Sequence, residues 1–434
     1  MDKMADVLGR AGAWCGQNKY LSAIKNAFQN FMPLTIAGAI GVLWCNVLVN
    51  DQTGLGLFFK PIMALDFLNP AFQAVNFCTI SCITVGITLG IAQEIGVWNM
   101  GAEKAGYIPG LVGLAAWLSV TNTSHMVAGA KEAFTGIAGN ELGATGLFTG
   151  MIIGVLSVEL FCFFEKQDAL KIKMPEQVPP GVARAFEVLV PATITLIITA
   201  CIGSACYNLT GLYLNDVIKN GIQGPLGAVG ATIPGVMIIY LVIMLFWLVG
   251  IHGNNMLSAV KEALFTPLAL ENVEKFNKGE KPTNIINMYA LQMWGEFGGS
   301  GVTIGLVIAI MIFGKREDNK AIASLSLVPG LFNINETVTF GIPMVLNPIL
   351  GIPFVFACLV TILVGYVLTV IGFCPVACLT VPWTTPPIVF GFLATGANVM
   401  GAVTQAILIV VSTVIYVPFL IAYEKYQNKQ AAEA

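Results

Sequence analysis

The sequence predicts an all-α integral membrane protein of about ten transmembrane helices with re-entrant pieces. Three observations carry that expectation. Of the 434 residues, 56% are apolar and only 10% are charged, whereas a soluble domain carries about 25% charged residues. The apolar residues stand in long continuous runs rather than alternating with polar ones, so the spans are helices and not barrel strands. Lys and Arg gather in a few clusters between those runs. A chain this poor in charge cannot cover its own surface for water, so its outer solvent is lipid; the mean hydropathy of +0.80 says the same. The formal net charge is −3, and no basic run exceeds two residues. That argues against nucleic acid as a partner.

Residues 1–28 carry Lys3, Arg10, Lys19 and Lys25 before the first long apolar run and show no cleavable signal. They form an expected cytoplasmic or interfacial segment, anchored by Trp14, Tyr20 and Phe28. Crossing about 30 Å of hydrocarbon takes about 20 apolar residues. Runs of that order lie near 29–49, 72–92, 106–120, 145–164, 186–208, 230–250, 300–314, 343–371 and 388–420. Some are too long for one span and some too short. Sixteen of the 21 Lys and Arg lie in 3–25, 166–184, 275–281, 315–320 and 425–429. Such clusters mark cytoplasmic loops, which puts both termini in the cytoplasm and requires an even number of spans. The polar, proline-bearing segment 165–184 reads as the link between an N-terminal membrane half, 29–184, and a C-terminal half, 185–423, followed by a cytoplasmic tail, 424–434. No soluble catalytic domain and no sequence repeat is visible.

The ten cysteines fall mostly in apolar stretches and read as small helix fillers on a reducing side of the membrane. With only His125 and His252 as histidines and no CxxC, no metal and no cofactor is expected. Glu94, Glu103, Lys104, Lys131, Glu132 and Glu141 read as loop or interface charges. His125 reads as a loop residue, and Lys315–Lys320 as a solvated cytoplasmic turn.

Polar groups inside apolar segments are costly and are functional suspects. Four such stretches lie in the second half. Phe246–Asn255 (FWLVGIHGNN) ends an apolar run with Trp247 and with His252 between glycines, followed by Asn254 and Asn255. Its plain reading is an interfacial helix end; its functional reading is an imidazole and amides suited to hydroxyls. Trp294–Thr303 (WGEFGGSGVT) has Gly295, Gly298, Gly299 and Gly301 and cannot be regular helix. Irregular backbone at membrane depth is tolerated where it is buried or lines a wet cavity; the plain alternative is a helix entry capped by Ser300. It has no GxxxxGK pattern, which excludes nucleotide binding. Asn333–Pro343 (NINETVTFGIP) sets one carboxylate, Glu336, among Asn333, Asn335, Thr337 and Thr339. A lone carboxylate with neutral neighbours suits a sugar and can act as a general base; the alternative is a short surface loop. Val381–Pro387 (VPWTTPP) has three prolines that rule out continuous helix. Trp383 offers a flat face for a pyranose ring, the alternative being a rigid interfacial turn. Helices broken by Gly and Pro point to a transporter binding site.

At these motifs, together with SAIKNAFQNFMPLTIAGAI (22–40) and PGLFNINETVTFGIP (329–343), the sequence resembles the phosphotransferase-system enzyme IIC of the lactose/cellobiose/diacetylchitobiose family over nearly its whole length. The resemblance implies ten transmembrane helices with two re-entrant hairpins in an elevator-type fold. It implies an N-terminal half that forms a homodimer and a C-terminal half that binds and moves the sugar. The family's conserved His and Glu fall on His252 and Glu336, expected at the hydroxyl that receives the phosphoryl group. The glycine turn at Gly298 and Gly299, and Trp383, match sugar-contacting positions; Trp247, Asn254, Asn333 and Asn335 complete the expected substrate site. The phosphoryl donor is expected on a phosphorylated enzyme IIB protein. The chain ends soon after its last apolar run, so IIB is expected as a separate polypeptide, which favours a cellobiose or diacetylchitobiose type over lactose. The expected activity is uptake of a β-linked disaccharide coupled to phosphorylation at C6. The chain is then one component of a phosphotransferase, in the cell membrane among lipid. The alternative is a proton-coupled sugar symporter, in which His252 and Glu336 relay protons.

Overall fold

The computed structural model describes residues 10, 14, 17–51, 55–125, 134–175, 177–225, 230–342 and 344–433. Lys3, Lys131, Glu132 and Pro343, named above, lie outside these residues, as does most of 1–16. The described chain is almost wholly helical. Its main helices are α1 (Lys19–Leu43), α2 (Asn69–Asn76), α3 (Ile83–Met100), α4 (Ile108–Val120), α5 (Ala144–Glu165), α6 (Pro180–Thr210), α7 (Ile233–Leu248) and α8 (Ser258–Asn277). They continue with α9 (Met288–Gly295), α10 (Ile304–Phe313), α11 (Glu317–Leu331), α12 (Glu336–Gly341), α13 (Gly351–Val370), α14 (Val389–Ala394) and α15 (Val399–Glu433). A two-residue antiparallel pair, Ser124–His125 with Phe134–Thr135, is the sheet among the described residues, and it takes in His125.

Among the described residues, five helical stretches are long and apolar enough to cross a membrane: 19–48, α5, α6, α13 and α15. Two bent pairs, 60–81 with α3 and 288–302 with α10, bring the number to seven, and α4 and α7 are shorter apolar helices. The starts follow local chemistry. Pro180 stands at the opening of α6, where a missing N–H costs nothing. Thr232 caps α7 by accepting from the Gly235 amide at 3.2 Å. Asn287 caps α9 by accepting from the amides of Tyr289 and Ala290 at 3.0 and 3.1 Å.

The residues form two compact units. One comprises Gln17–Gly38 and Ala74–Gly227. In it α3, α4 and α5 pack on one another and α6 packs on α4 and α5. Apolar side chains gain little by leaving lipid for protein, so close backbone approach supplies the attraction. Gly113 and Gly150 permit it: a methyl at Gly113 would lie 2.3 Å from the Ala92 Cβ, and one at Gly150 would lie 2.2 Å from the Thr88 hydroxyl. Trp117 and Val120 on α4 and Ile153 on α5 form a buried cluster that Leu196 of α6 joins. Glu94, expected as a loop or interface charge, sits inside α3, where Asn26 and Asn30 donate to its carboxylate at 2.9 and 3.3 Å.

The segment 165–184 stays within this unit. Buried Glu165 pairs with Lys104 at 2.9 Å and with Arg184 at 3.1 Å, which joins the two ends of the segment. This unit runs on to Gly227, and α6 contributes its Leu196 to the core of the first helices.

The other unit comprises the described residues of Ala39–Gln73 and Ala228–Ala434. Here α15 packs against α10, α13 and α14, while α13 packs against α7 and α9. Trp294, Phe297 and Phe354 are fully buried at its centre. Buried Gln405 on α15 accepts from the amides of Ile388 and Gly391, both at 2.7 Å, and donates to the Met293 carbonyl at 3.2 Å. This satisfies the irregular backbone before α14, which lipid could not do. The expected solvated turn at Lys315–Lys320 is partly held in place. Its Lys315 and Arg316 amides donate to buried Glu424 of α15 at 2.8 and 3.3 Å.

Candidate functional site

All nine residues singled out in the sequence lie in the second unit. α7 ends at Leu248, and Gly250, at φ +81°, turns the chain so that His252 caps the short helix Gly253–Met256. The imidazole Nδ1 accepts the Asn255 amide hydrogen at 3.2 Å. A neutral ring that accepts at Nδ1 carries its proton on Nε2. That Nε2 faces a Glu336 carboxylate oxygen at 4.0 Å, with both side chains partly exposed. Trp247 lies 4.4 Å from the His252 ring, centroid to centroid, and packs edge-on to Phe354 at 6.4 Å. It is buried, so it forms the floor under the imidazole and offers no open face to a ligand.

Glu336 begins α12, and Asn335 precedes it as the cap residue. Asn335 is buried and donates to the Ser300 carbonyl at 2.8 Å. It also lies against Gly299, where a methyl would come within 2.6 Å of the Asn335 side chain. Gly298 and Gly299 have φ of +68° and +85°, a backbone that residues with a side chain rarely adopt. Together with Gly301 at +74° they bend the chain by 59° between 288–302 and α10. The reading of WGEFGGSGVT as broken helix holds, but Ser300 does not cap α10, whose N-terminal neighbour is Thr303.

Asn333 joins this turn to the proline-rich loop. Its side-chain oxygen accepts the Gly298 amide at 2.6 Å, and its nitrogen donates to the carbonyls of Trp383 and, at 3.1 Å, Thr385. Trp383 keeps 44% of its surface exposed, so its ring face is available to a ligand.

Asn254 is less free than its sequence position suggests. Its nitrogen donates to the Ser300 hydroxyl at 2.9 Å and its oxygen accepts from Lys261 at 3.1 Å. Lys261 is buried on α8 and pairs with Glu296, which also accepts from the Tyr240 hydroxyl at 2.6 Å. Neither Lys261 nor Glu296 was singled out from the sequence. The available signal was a lysine seven residues beyond Asn254, and a carboxylate inside the glycine motif.

Chemically, the carboxylate accepts and the imidazole N–H donates. One oxygen at about 2.8 Å from both atoms satisfies the spacing, so the pair can grip a single hydroxyl. Among the described residues no three His, Cys, Asp or Glu side chains converge as metal ligands.

The family model described as phosphotransferase system, EIIC, matches residues 25–358. The oligo-β-mannoside-specific EIIC component of Bacillus subtilis (strain 168) is 33% identical, over 98% of this chain and 94% of that one. The cellobiose-specific EIIC component of Lactococcus lactis subsp. lactis (strain IL1403) is 29% identical, over 98% of each. The crystal structure of the transporter ChbC, the IIC component of the N,N′-diacetylchitobiose-specific phosphotransferase system, superposes with a TM-score of 0.88. It is 29% identical and the match covers 97% of each chain.

Proposed function

Because the chain belongs to the phosphotransferase system EIIC family, we propose that it carries a β-linked disaccharide across the cell membrane and presents it for phosphorylation at C6. It is the membrane permease component of such a system. The family is that of the phosphotransferase permeases, so the proton-coupled symporter reading has no support and is not carried further. The sugars named for its relatives, cellobiose, N,N′-diacetylchitobiose and oligo-β-mannosides, set the substrate class.

The observation that carries the site is the facing of His252 Nε2 and Glu336 at 4.0 Å on an open surface. In this reading a pyranose stacks on Trp383 and its primary hydroxyl lies between imidazole and carboxylate. Glu336 accepts the hydroxyl proton as the sugar oxygen attacks the phosphoryl group of a phosphorylated IIB protein. The bond from phosphorus to the IIB donor breaks as the new P–O bond forms, and the donor leaves with its electron pair. His252 orients the acceptor oxygen through its N–H. Such a reaction rests on positioning and charge stabilisation. The product adds negative charge beside Glu336, which weakens its binding and favours release.

Ten spans with two re-entrant hairpins work as an elevator, the N-terminal half pairs with a second copy in the lipid bilayer, and the C-terminal half moves the sugar. Both termini lie in the cytoplasm, where IIB acts. Uptake assays in vesicles, with phosphorylated IIB and a panel of disaccharides, test the reading. Phosphorylated sugar inside the vesicles is expected for a β-linked disaccharide; free sugar accumulating without IIB would refute it.

A further inference from the structure

Lys261 is a charged group that the proposed mechanism does not use, yet it is 5% exposed. Its ammonium pairs with Glu296, donates to Asn254 Oδ1 at 3.1 Å and lies 5.5 Å from the centre of the Tyr240 ring. Tyr240 in turn donates to the same Glu296 oxygen at 2.6 Å. A buried ammonium and carboxylate are costly to desolvate, and well-packed apolar residues often do as well for stability. The position of this pair therefore invites a reason other than stability.

The reason lies in what Lys261 touches. By occupying Asn254 Oδ1, it fixes which end of the amide points to Ser300, so Nδ2 donates to the Ser300 hydroxyl at 2.9 Å. Asn254 sits in the short helix that His252 caps. The Ser300 carbonyl accepts from Asn335 at 2.8 Å, and Asn335 immediately precedes Glu336. A continuous path of hydrogen bonds and chain thus runs from Lys261 to both facing groups.

We infer that Lys261 is a positioning residue, which sets the spacing of His252 and Glu336 through Asn254 and Ser300. The inference rests on the proposed phosphoryl-acceptor role of those two residues. Lys261 itself touches neither. Its Glu296 partner holds the ammonium in place and offsets its charge.

The test uses the full chain in vesicles, phosphorylated IIB protein of a cellobiose-specific system, and cellobiose and N,N′-diacetylchitobiose as probes. Lys261→Met alone leaves Glu296 buried without its cation, so the informative variant is Lys261→Met with Glu296→Gln, which removes both charges. That double variant is expected to bind sugar within about threefold of wild type. It is expected to phosphorylate at least about tenfold more slowly, the scale of one lost positioning hydrogen bond. Asn254→Leu, which cuts the path at its next link while leaving both charges of the ion pair in place, is expected to give the same split between binding and rate. Because the chain has only two histidines, nitrogen-15 histidine spectra should show the His252 signal displaced in both variants and that of His125 unmoved.

A double variant that phosphorylates at the wild-type rate overturns the inference, and so does one that loses binding and rate in equal proportion. Loss of sugar binding in Asn254→Leu would make Asn254 a sugar ligand rather than a link, and also overturns it. A wild-type chain that phosphorylates none of the probes overturns the parent reading and this inference with it, which separates the two failures.

Discussion

His252 turns its Nε2 toward the Glu336 carboxylate at 4.0 Å because its other ring nitrogen is already engaged by the Asn255 amide at 3.2 Å. A histidine held in this way presents a fixed donor to a carboxylate acceptor. The two side chains come from separate segments, the turn after α7 and the start of α12. The fold thus brings together two polar residues that the sequence shows far apart.

Glu336→Gln keeps the shape and a hydrogen-bonding oxygen but loses the base. It is expected to bind sugar within a few-fold of wild type and to slow phosphorylation by about 100-fold or more, the lower range for a general base. Equilibrium binding and IIB-dependent phosphorylation on the same preparation check this. Full-rate phosphorylation by the variant would remove Glu336 from the chemistry.

His252→Gln retains an N–H donor on a different geometry, whereas His252→Ala removes it. The alanine variant is expected to lose about tenfold or more in rate, as for a hydrogen bond to a charged group, with glutamine recovering part of it. Equal rates for the two variants would show that the donor has no role.

Trp383→Ala is expected to weaken sugar binding by about fivefold, since stacking on an aromatic face contributes about 1 kcal/mol. Trp383→Phe should weaken it less. With 44% of its surface exposed, Trp383 contributes little packing, so the thermal midpoint should stay near that of wild type. Unchanged affinity in the alanine variant would rule out the stacking role.

Gly299→Ala places a methyl 2.6 Å from Asn335 on a backbone at φ +85°. Both faults force the turn to shift and break the bond from Asn335 to the Ser300 carbonyl. The expected cost is about 1–3 kcal/mol in stability, read as a lower thermal midpoint, together with loss of phosphorylation. An alanine variant with wild-type stability and rate would show that the close approach is not needed.

Asn333→Ala removes the acceptor for the Gly298 amide and the donor to the Trp383 and Thr385 carbonyls. It also requires alanine at φ +63°. Sugar affinity and thermal midpoint are both expected to fall, because the turn and the Trp383 loop lose their common anchor. A fall in midpoint with affinity intact would make Asn333 purely structural.

The membrane class of this protein was legible in its sequence because it follows from composition and from continuous apolar runs, which depend on no long-range contact. The breaks in those runs were legible too: glycine and proline act locally, so the irregular turn at Gly298–Gly301 could be read residue by residue. The motifs likewise singled out Glu336, His252 and Trp383 as candidates, because each stands in a locally broken stretch. What tertiary structure alone decided is which groups meet and which are already committed. Trp247 became a buried floor and Asn254 a link, because Phe354, Ser300 and Lys261 reach them from other segments. The local signals of Lys261 and Glu296 did not mark them as partners, since a charge pair is recognised only when packing brings its two members together. The packing of Leu196 of α6 against α4 and α5 is likewise a contact across the chain, on which the polar segment 165–184 does not report.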